Sequence, residues 1–421
     1  RSACASSQAR LSRAVKAGLP FLSLLLALPA QAREWKFMGK MDLMVGQYFF
    51  QNSAGSVSGY ADADLQLARS ISPQSGFFMT ARSVYTGFKQ VNELAGGGTL
   101  FQQSIDNSFG GKWIRRFEGG YSLKPRFGVR NQLFRETTDE VWGKGLYDFW
   151  RYEAGLVWER KTRLGLSIPW TYQFSFDLYY TRYARFKTLS SQFGSELAAP
   201  DPGSRVLDTV TSQFGYRSEF DFPGFASGWL FYSLSLVDFV DQKVVNSQGN
   251  YLDSKRSDAS QTLGLGVTKR LLDFQTLGRM RPNVGAHLSF SNQISNQNHF
   301  DTDPNRLKFV SSYYNYWEVR GGPNVGVTFL KTLLSLRSGY EYATRFYSGR
   351  LAQTESGSYT DDRLTQATQS IFVEAAHPVW GGIDLKARGT WSTTTSNTRF
   401  EQTYKYNYHD YNYFAGIEWK F

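Results

Sequence analysis

Ile383, Leu385, Ala387, Gly389 and Trp391 alternate with Asp384, Lys386, Arg388, Thr390 and Ser392, so every odd position is apolar or glycine and every even one polar. Side chains that change sides at each residue belong to a β-strand, and charge confined to one parity gives that strand one oily and one wet face. The pattern recurs. Tyr121, Leu123, Phe127, Val129 and Leu133 oppose Ser122, Lys124, Arg126, Arg130 and Gln132; Trp170 to Tyr180 oppose Thr171 to Thr181 in the same way; Leu336, Tyr340, Tyr342 and Phe346 oppose Arg337, Glu341 and Arg345. From Trp35 onward no helical period lasts more than a turn or two, and the chain must be all-β.

The oily parity is rich in aromatics: Phe, Tyr and Trp make up 16% of the 421 residues, accompanied by 39 glycines. A disordered chain is poor in such residues. Helical membrane spans need about 20 nearly uncharged apolar residues in a row, and none follows residue 32. A soluble sandwich or propeller would have to bury every oily face against another, with no spare elements to do so. In a closed transmembrane barrel the bilayer covers those faces and closure satisfies every backbone group. Slipping strand 383–397 by one residue would turn Lys386 and Arg388 to lipid, at roughly 2–4 kcal/mol each at the midplane. The oily parity therefore faces outward.

Breaks between strands alternate short and long. Short ones fall at 72–76, 118–120, 161–164, 223–228, 273–279, 331–332 and 380–382; long polar ones near 51–58, 89–104, 136–144, 187–204, 245–256, 298–308, 350–363 and 398–405. Tight periplasmic turns and longer outer loops give that rhythm. The breaks predict strands 35–50, 59–71, 77–88, 105–117, 121–135, 145–160, 165–186, 205–221, 229–244, 257–271, 281–297, 309–330, 333–349, 364–379, 383–397 and 406–421. The expected fold is thus a single transmembrane antiparallel β-barrel of about 16 strands, with 14 and 18 as alternatives. Asp148, Asp238, Arg115 and Lys269 fall on the lipid parity of these strands, and Pro125, Pro169, Pro282 and Pro323 lie within or at the start of strands, where each removes a ladder donor.

Residues 1–32 read differently. Arg10, Arg13 and Lys16 precede the apolar stretch from Ala17 to Leu28, and Ala30 and Ala32 give a small-x-small pattern before Arg33. This is the pattern of a secretory signal peptide, leaving 33–421 as the barrel. Its removal takes four basic residues and no acid, so the net charge falls from +11 to +7, and it takes Cys4, the sole cysteine. Disulfides and thiolate metal sites are then excluded.

The chain ends Phe414, Ala415, Gly416, Ile417, Glu418, Trp419, Lys420, Phe421. Gly416, Trp419 and Phe421 match the last-strand signal of the Gram-negative outer-membrane β-barrel superfamily, which this chain resembles; Phe414 departs from it, standing where the family prefers a polar residue. The resemblance covers the architecture of residues 33–421 and identifies no subfamily. It implies insertion by the barrel assembly machinery, an outer-membrane location, and contact with outer-membrane lipids and lipopolysaccharide. A homo-oligomer is compatible with such a barrel, and a nucleic-acid partner is not expected.

No Walker loop, HExxH or CxxC is present, and there are four histidines. His299 and His409 fall in loop sequence, His377 on an oily face, and His287 on a wet face where a nearby acid is conceivable. Asp301, Asp303 and Asn305 form either a solvated turn, the favoured reading, or an oxygen site for Ca²⁺. Neither a catalytic group nor a cofactor or metal is expected. Two functions fit such a barrel: passive diffusion of small hydrophilic solutes, anions among them, through a porin-like channel, or export of, for example, a polysaccharide with envelope partners. The candidate pore-lining residues are Lys112, Arg116, Lys124, Arg126, Arg130, Glu318, Arg337, Glu341, Arg345, Lys386 and Arg388. The first five lie on strands 105–117 and 121–135, whose spanning parts carry no acid on the wet face by this reading. They are expected either to form a basic ladder that attracts anions, the favoured outcome, or to be tied by acids from elsewhere, with Glu153, Glu219, Glu318, Glu341 and Asp384 as the candidates.

Overall fold

The computed structural model describes residues 35–51, 56–92, 99–135, 140–165, 168–186, 205–224, 226–271, 279–401 and 405–421. The expected signal peptide, 1–32, and the loop 187–204 lie outside the described residues. In chain order the strands are β1 (Lys36–Phe50), β2 (Ser56–Ser72), β3 (Ser75–Asn92), β4 (Thr99–Arg116), β5 (Tyr121–Arg135), β6 (Phe149–Leu164), β7 (Ile168–Arg182), β8 (Thr209–Phe222), β9 (Ala226–Val245), β10 (Tyr251–Arg270), β11 (Met280–Ser295), the short β12 (His299–Asp301) and β13 (Lys308–Val310), then β14 (Tyr316–Phe329), β15 (Ser335–Gln353), β16 (Tyr359–Trp380), β17 (Ile383–Ser396) and β18 (Tyr408–Lys420).

Sixteen of these close into one antiparallel barrel, each bonded to its neighbours in sequence and β18 to β1; β12 and β13 form a separate hairpin in the connection from β11 to β14. The expected strand number and order are both present. At one end the turns are tight. Gly119 and Gly120 have φ of 75° and 80°, and Gly381 and Gly382 have 47° and 85°, the left-handed region in which a side chain would be strained.

At the other end the strands outrun the sequence expectation. The breaks expected at 89–104, 245–256 and 350–363 are largely ladder: β3 and β4 pair out to Asn92 and Thr99, β10 begins at Tyr251, and β15 and β16 reach Gln353 and Tyr359 around a turn closed by Thr354 and Ser358. Beyond the bilayer a strand need not keep an oily parity, so alternation stops before pairing does.

The register sorts side chains as the alternation requires. Val45, Phe127, Tyr152, Phe174, Leu265, Leu288, Val373 and Tyr413 are exposed on the outer surface, with Val45 at 66% and Tyr413 at 52%. Trp158, Tyr172, Trp170 and Phe220 pack ring against ring along the outside of β6 to β8 near the tight-turn end, as an interfacial aromatic belt does. Inward-pointing Asp42, Met44 and Asp62 are buried instead.

Two prolines mark gaps in the ladder. Pairing of β4 with β5 passes from Lys112–Arg126 to Arg115–Leu123, omitting the rungs at Pro125, and pairing of β14 with β15 omits those at Gly322 and Pro323. Asp148 is not a lipid-facing strand residue: β6 starts after it, and its buried carboxylate accepts from the backbone N–H groups of Phe134 and Gly145.

Candidate functional site

The inner wall carries the chemistry. On β4 and β5 the register places Lys112, Arg116, Lys124, Arg126 and Arg130 on one inward face, but not as an unopposed ladder. Asp106, on the same face of β4, takes both Nε and Nη2 of Arg130, the former at 2.8 Å. This corrects the expectation of a hairpin without acid. Lys124 meets Glu159 of β6 at 2.6 Å. Arg126 reaches past β6 altogether to Asp177 of β7, donating through Nε at 2.6 Å and through Nη2.

That reach depends on Gly155, which lies level with Arg126 on one side and Asp177 on the other. A methyl group there would collide with Asp177 Oδ1. The acids that tie this hairpin are thus Asp106, Glu159 and Asp177, none of those singled out from sequence. Parity alone could have found Asp106, two positions before Ser108 on the face set by Lys112 and Arg116; its place at the end of the expected strand hid it. Lys112 instead sits 4.5 Å over the Phe78 ring. Among the described residues neither Lys112 nor Arg116 has an ion-pair partner, and neither does Lys161 on the inward parity of β6. Arg116, Lys124 and Lys161 share a cavity of about 230 Å³ at the tight-turn end.

A second network runs across β11, β14 and β15. Arg345 donates to Glu318 Oε2 at 2.9 and 2.7 Å, Arg320 bridges Glu318 Oε1 and Glu341 Oε1 at 3.1 and 2.9 Å, and His287 Nε2 stands 3.3 Å from Glu341 Oε2. His287 therefore stands at one end of this polar chain. Arg337 lies 5.7 Å over the Phe372 ring, level with Glu374 of β16.

The third network closes the barrel. Asp42 of β1 and Glu418 of β18 are direct cross-strand neighbours, a repulsive pairing of like charges. Lys386 of β17 relieves it by reaching Asp42 at 2.6 Å and Glu418 at 3.0 Å, while Lys40 and Lys420 meet Glu418 at 2.8 and 2.7 Å. Gly416 allows the close approach: a methyl on it would strike the Leu43 carbonyl. Trp419 and Phe421 pack as a tilted pair on the outer face, ring centroids 4.4 Å apart, with the Phe421 ring against Gly39. Arg388, level with Phe414 and Glu374, makes no ion pair among the described residues.

Above the long-loop end, the β12–β13 hairpin is tied down. Asp301 accepts from Arg306 at 3.1 Å and from the Tyr359 hydroxyl at 2.9 Å, and Arg306 also meets Asp303 at 3.2 Å. The turn that could have offered oxygens to Ca²⁺ spends its carboxylates on Arg306. Burial would raise the Asp301 carboxyl, but the Asp303 amide, Tyr359 and Arg306 donating to it hold it below the ordinary value. His299, stacked on Tyr313 at 4.5 Å, is lowered by burial.

No protein-family model and no curated protein matches this chain. Among solved structures, OmpT, an outer membrane protein of Vibrio cholerae in a trimer form, matches 93% of this chain and 100% of its own at 10% identity and a TM-score of 0.41. OprB of Pseudomonas putida matches 92% and 94% at 10% identity and 0.46, and a bacterial polysaccharide outer membrane secretin matches 91% and 98% at 8% and 0.43. Likenesses this distant do not bear on what the barrel carries.

Proposed function

We propose that this barrel is an outer-membrane channel for passive diffusion of small hydrophilic solutes, weakly favouring anions. One observation carries the reading: a closed wall of sixteen strands turns its apolar side outward and its charged side inward, and a barrel of that size encloses room for water. The eleven inward charges expected from sequence are its proposed lining. Since Lys124, Arg126 and Arg130 are neutralised by carboxylates, the anion preference belongs to Lys112, Arg116 and Lys161 near the tight-turn mouth, cations that concentrate anions there.

Planar-bilayer recording of the refolded barrel in a salt gradient tests this. Wild type gives a zero-current potential on the anion side, and the triple change Lys112→Gln, Arg116→Gln, Lys161→Gln moves it toward cations at similar conductance. A barrel that refolds yet conducts nothing would refute the channel. We assign Gly416, Trp419 and Phe421 to recognition by the assembly machinery, since they present a paired glycine and two outer rings on the strand that closes the barrel.

A further inference from the structure

A cavity of about 320 Å³ is set into the inner wall where β1, β2, β17 and β18 meet. Its lining is polarised along the strands. At one end Arg388, exposed on the inner face, brings a guanidinium with no ion-pair partner among the described residues. Four rungs further on, level with each other across the β17–β18 ladder, are Ser392 and Asp410, and midway Thr390 and Asn412 face each other. Four residues of strand separate Arg388 from Ser392, about 13 Å. Met44 and Phe414 supply an apolar patch beside the polar groups.

Each part specifies part of a ligand. A lone guanidinium fork recognises a carboxylate in two hydrogen bonds. The hydroxyls, the amide and a carboxylate that only accepts match hydroxyl groups, which both donate and accept. The apolar patch suits the C–H face of a ring. Asp410 repels an anion held at Arg388 only weakly, because four residues of strand, about 13 Å, lie between them. Glu374, level with Arg388, would favour a cation at that end, so an anion is held there only where the guanidinium outweighs it.

We propose that this cavity is a binding subsite for small polyhydroxylated carboxylates, with Arg388 holding the carboxylate and Thr390, Ser392, Asn412 and Asp410 the hydroxyls. It rests on the channel reading and names the solute class that pauses in it. The test is calorimetric titration of the detergent-folded barrel with sodium glucuronate, glucose and sodium acetate, beside conductance of the same preparation. Glucuronate should bind at least tenfold more tightly than glucose or acetate. Arg388→Gln should weaken glucuronate about 10- to 100-fold, the worth of a charge-assisted hydrogen bond, and leave glucose unchanged; Arg388→Lys should recover part of the loss. Heat-modifiable migration on gels confirms that each variant is folded. Equal affinity for glucuronate and glucose, or no effect of Arg388→Gln in a folded barrel, overturns the subsite while conductance keeps the channel. Binding with no conductance overturns the channel and keeps the subsite.

Discussion

A glycine decides how far an arginine can reach. Gly155 leaves a path open by which Arg126 crosses β6 to Asp177, a carboxylate that is almost wholly buried. Substituting Val should push Asp177 off the guanidinium and cost about 1–3 kcal/mol, the loss of hydrogen bonds between charged groups. In an Asp177→Ala background the same Gly155→Val change should cost much less, since the bond it breaks is already gone. Urea unfolding from lipid vesicles measures both, and equal costs in the two backgrounds would refute the bridging role. This crossing was invisible in sequence. Alternation tells which face Arg126, Gly155 and Asp177 share, but their meeting depends on the register of three strands, fixed by turns far from them.

Among the elements, the β12–β13 hairpin is where pH should act. Burial lowers the pKa of His299, with Arg350 pressing the same way and Asp301 opposing, so the folded loop favours the neutral ring. The unfolded loop takes up a proton as pH falls through about 6.5, the ordinary value; the folded loop resists it, and stability drains away below that pH. Asp301 adds a second step. Held below the ordinary carboxylate range, it stabilises the fold above about pH 4 and loses that contribution as pH falls further. Proteolysis of the segment 296–315 should therefore accelerate between pH 7 and 5, and His299→Phe, which keeps the stack on Tyr313, should flatten that rise. The strands were legible because lipid on one side and charge on the other impose a period of two on every spanning segment. The outer extensions of β3, β10, β15 and β16 were not, since water on both faces removes the constraint, as the run from Ser356 to Arg363 shows with polar residues on both parities.

For the whole molecule, the leader sets the first expectation: the mature chain should begin at Arg33, which intact-mass measurement of membrane-extracted protein would show. The alternating end lengths set the second. Tags near Asp303 or Ser356 should be labelled on intact cells, and tags in the turns at Gly119 or Gly381 only after the outer membrane is broken. The reverse pattern would invert the barrel.

The ladder between β1 and β18 joins the first barrel strand to the last: Lys40 lies opposite Lys420, and Gly39 exchanges backbone hydrogen bonds with Phe421. Geometrically the barrel is a ring of hairpins with no privileged first strand. A circular permutant, with a short flexible tether joining Phe421 to Trp35 and new ends opened between Gly381 and Gly382, should refold in detergent to the same heat-modifiable barrel. In cells it should fail to insert, because its last strand would then be β16 and Phe421 would be internal. Folding and delivery would come apart in one molecule: a closed sheet can be cut open at any turn, whereas the signal proposed at Gly416, Trp419 and Phe421 would act only from the last strand made.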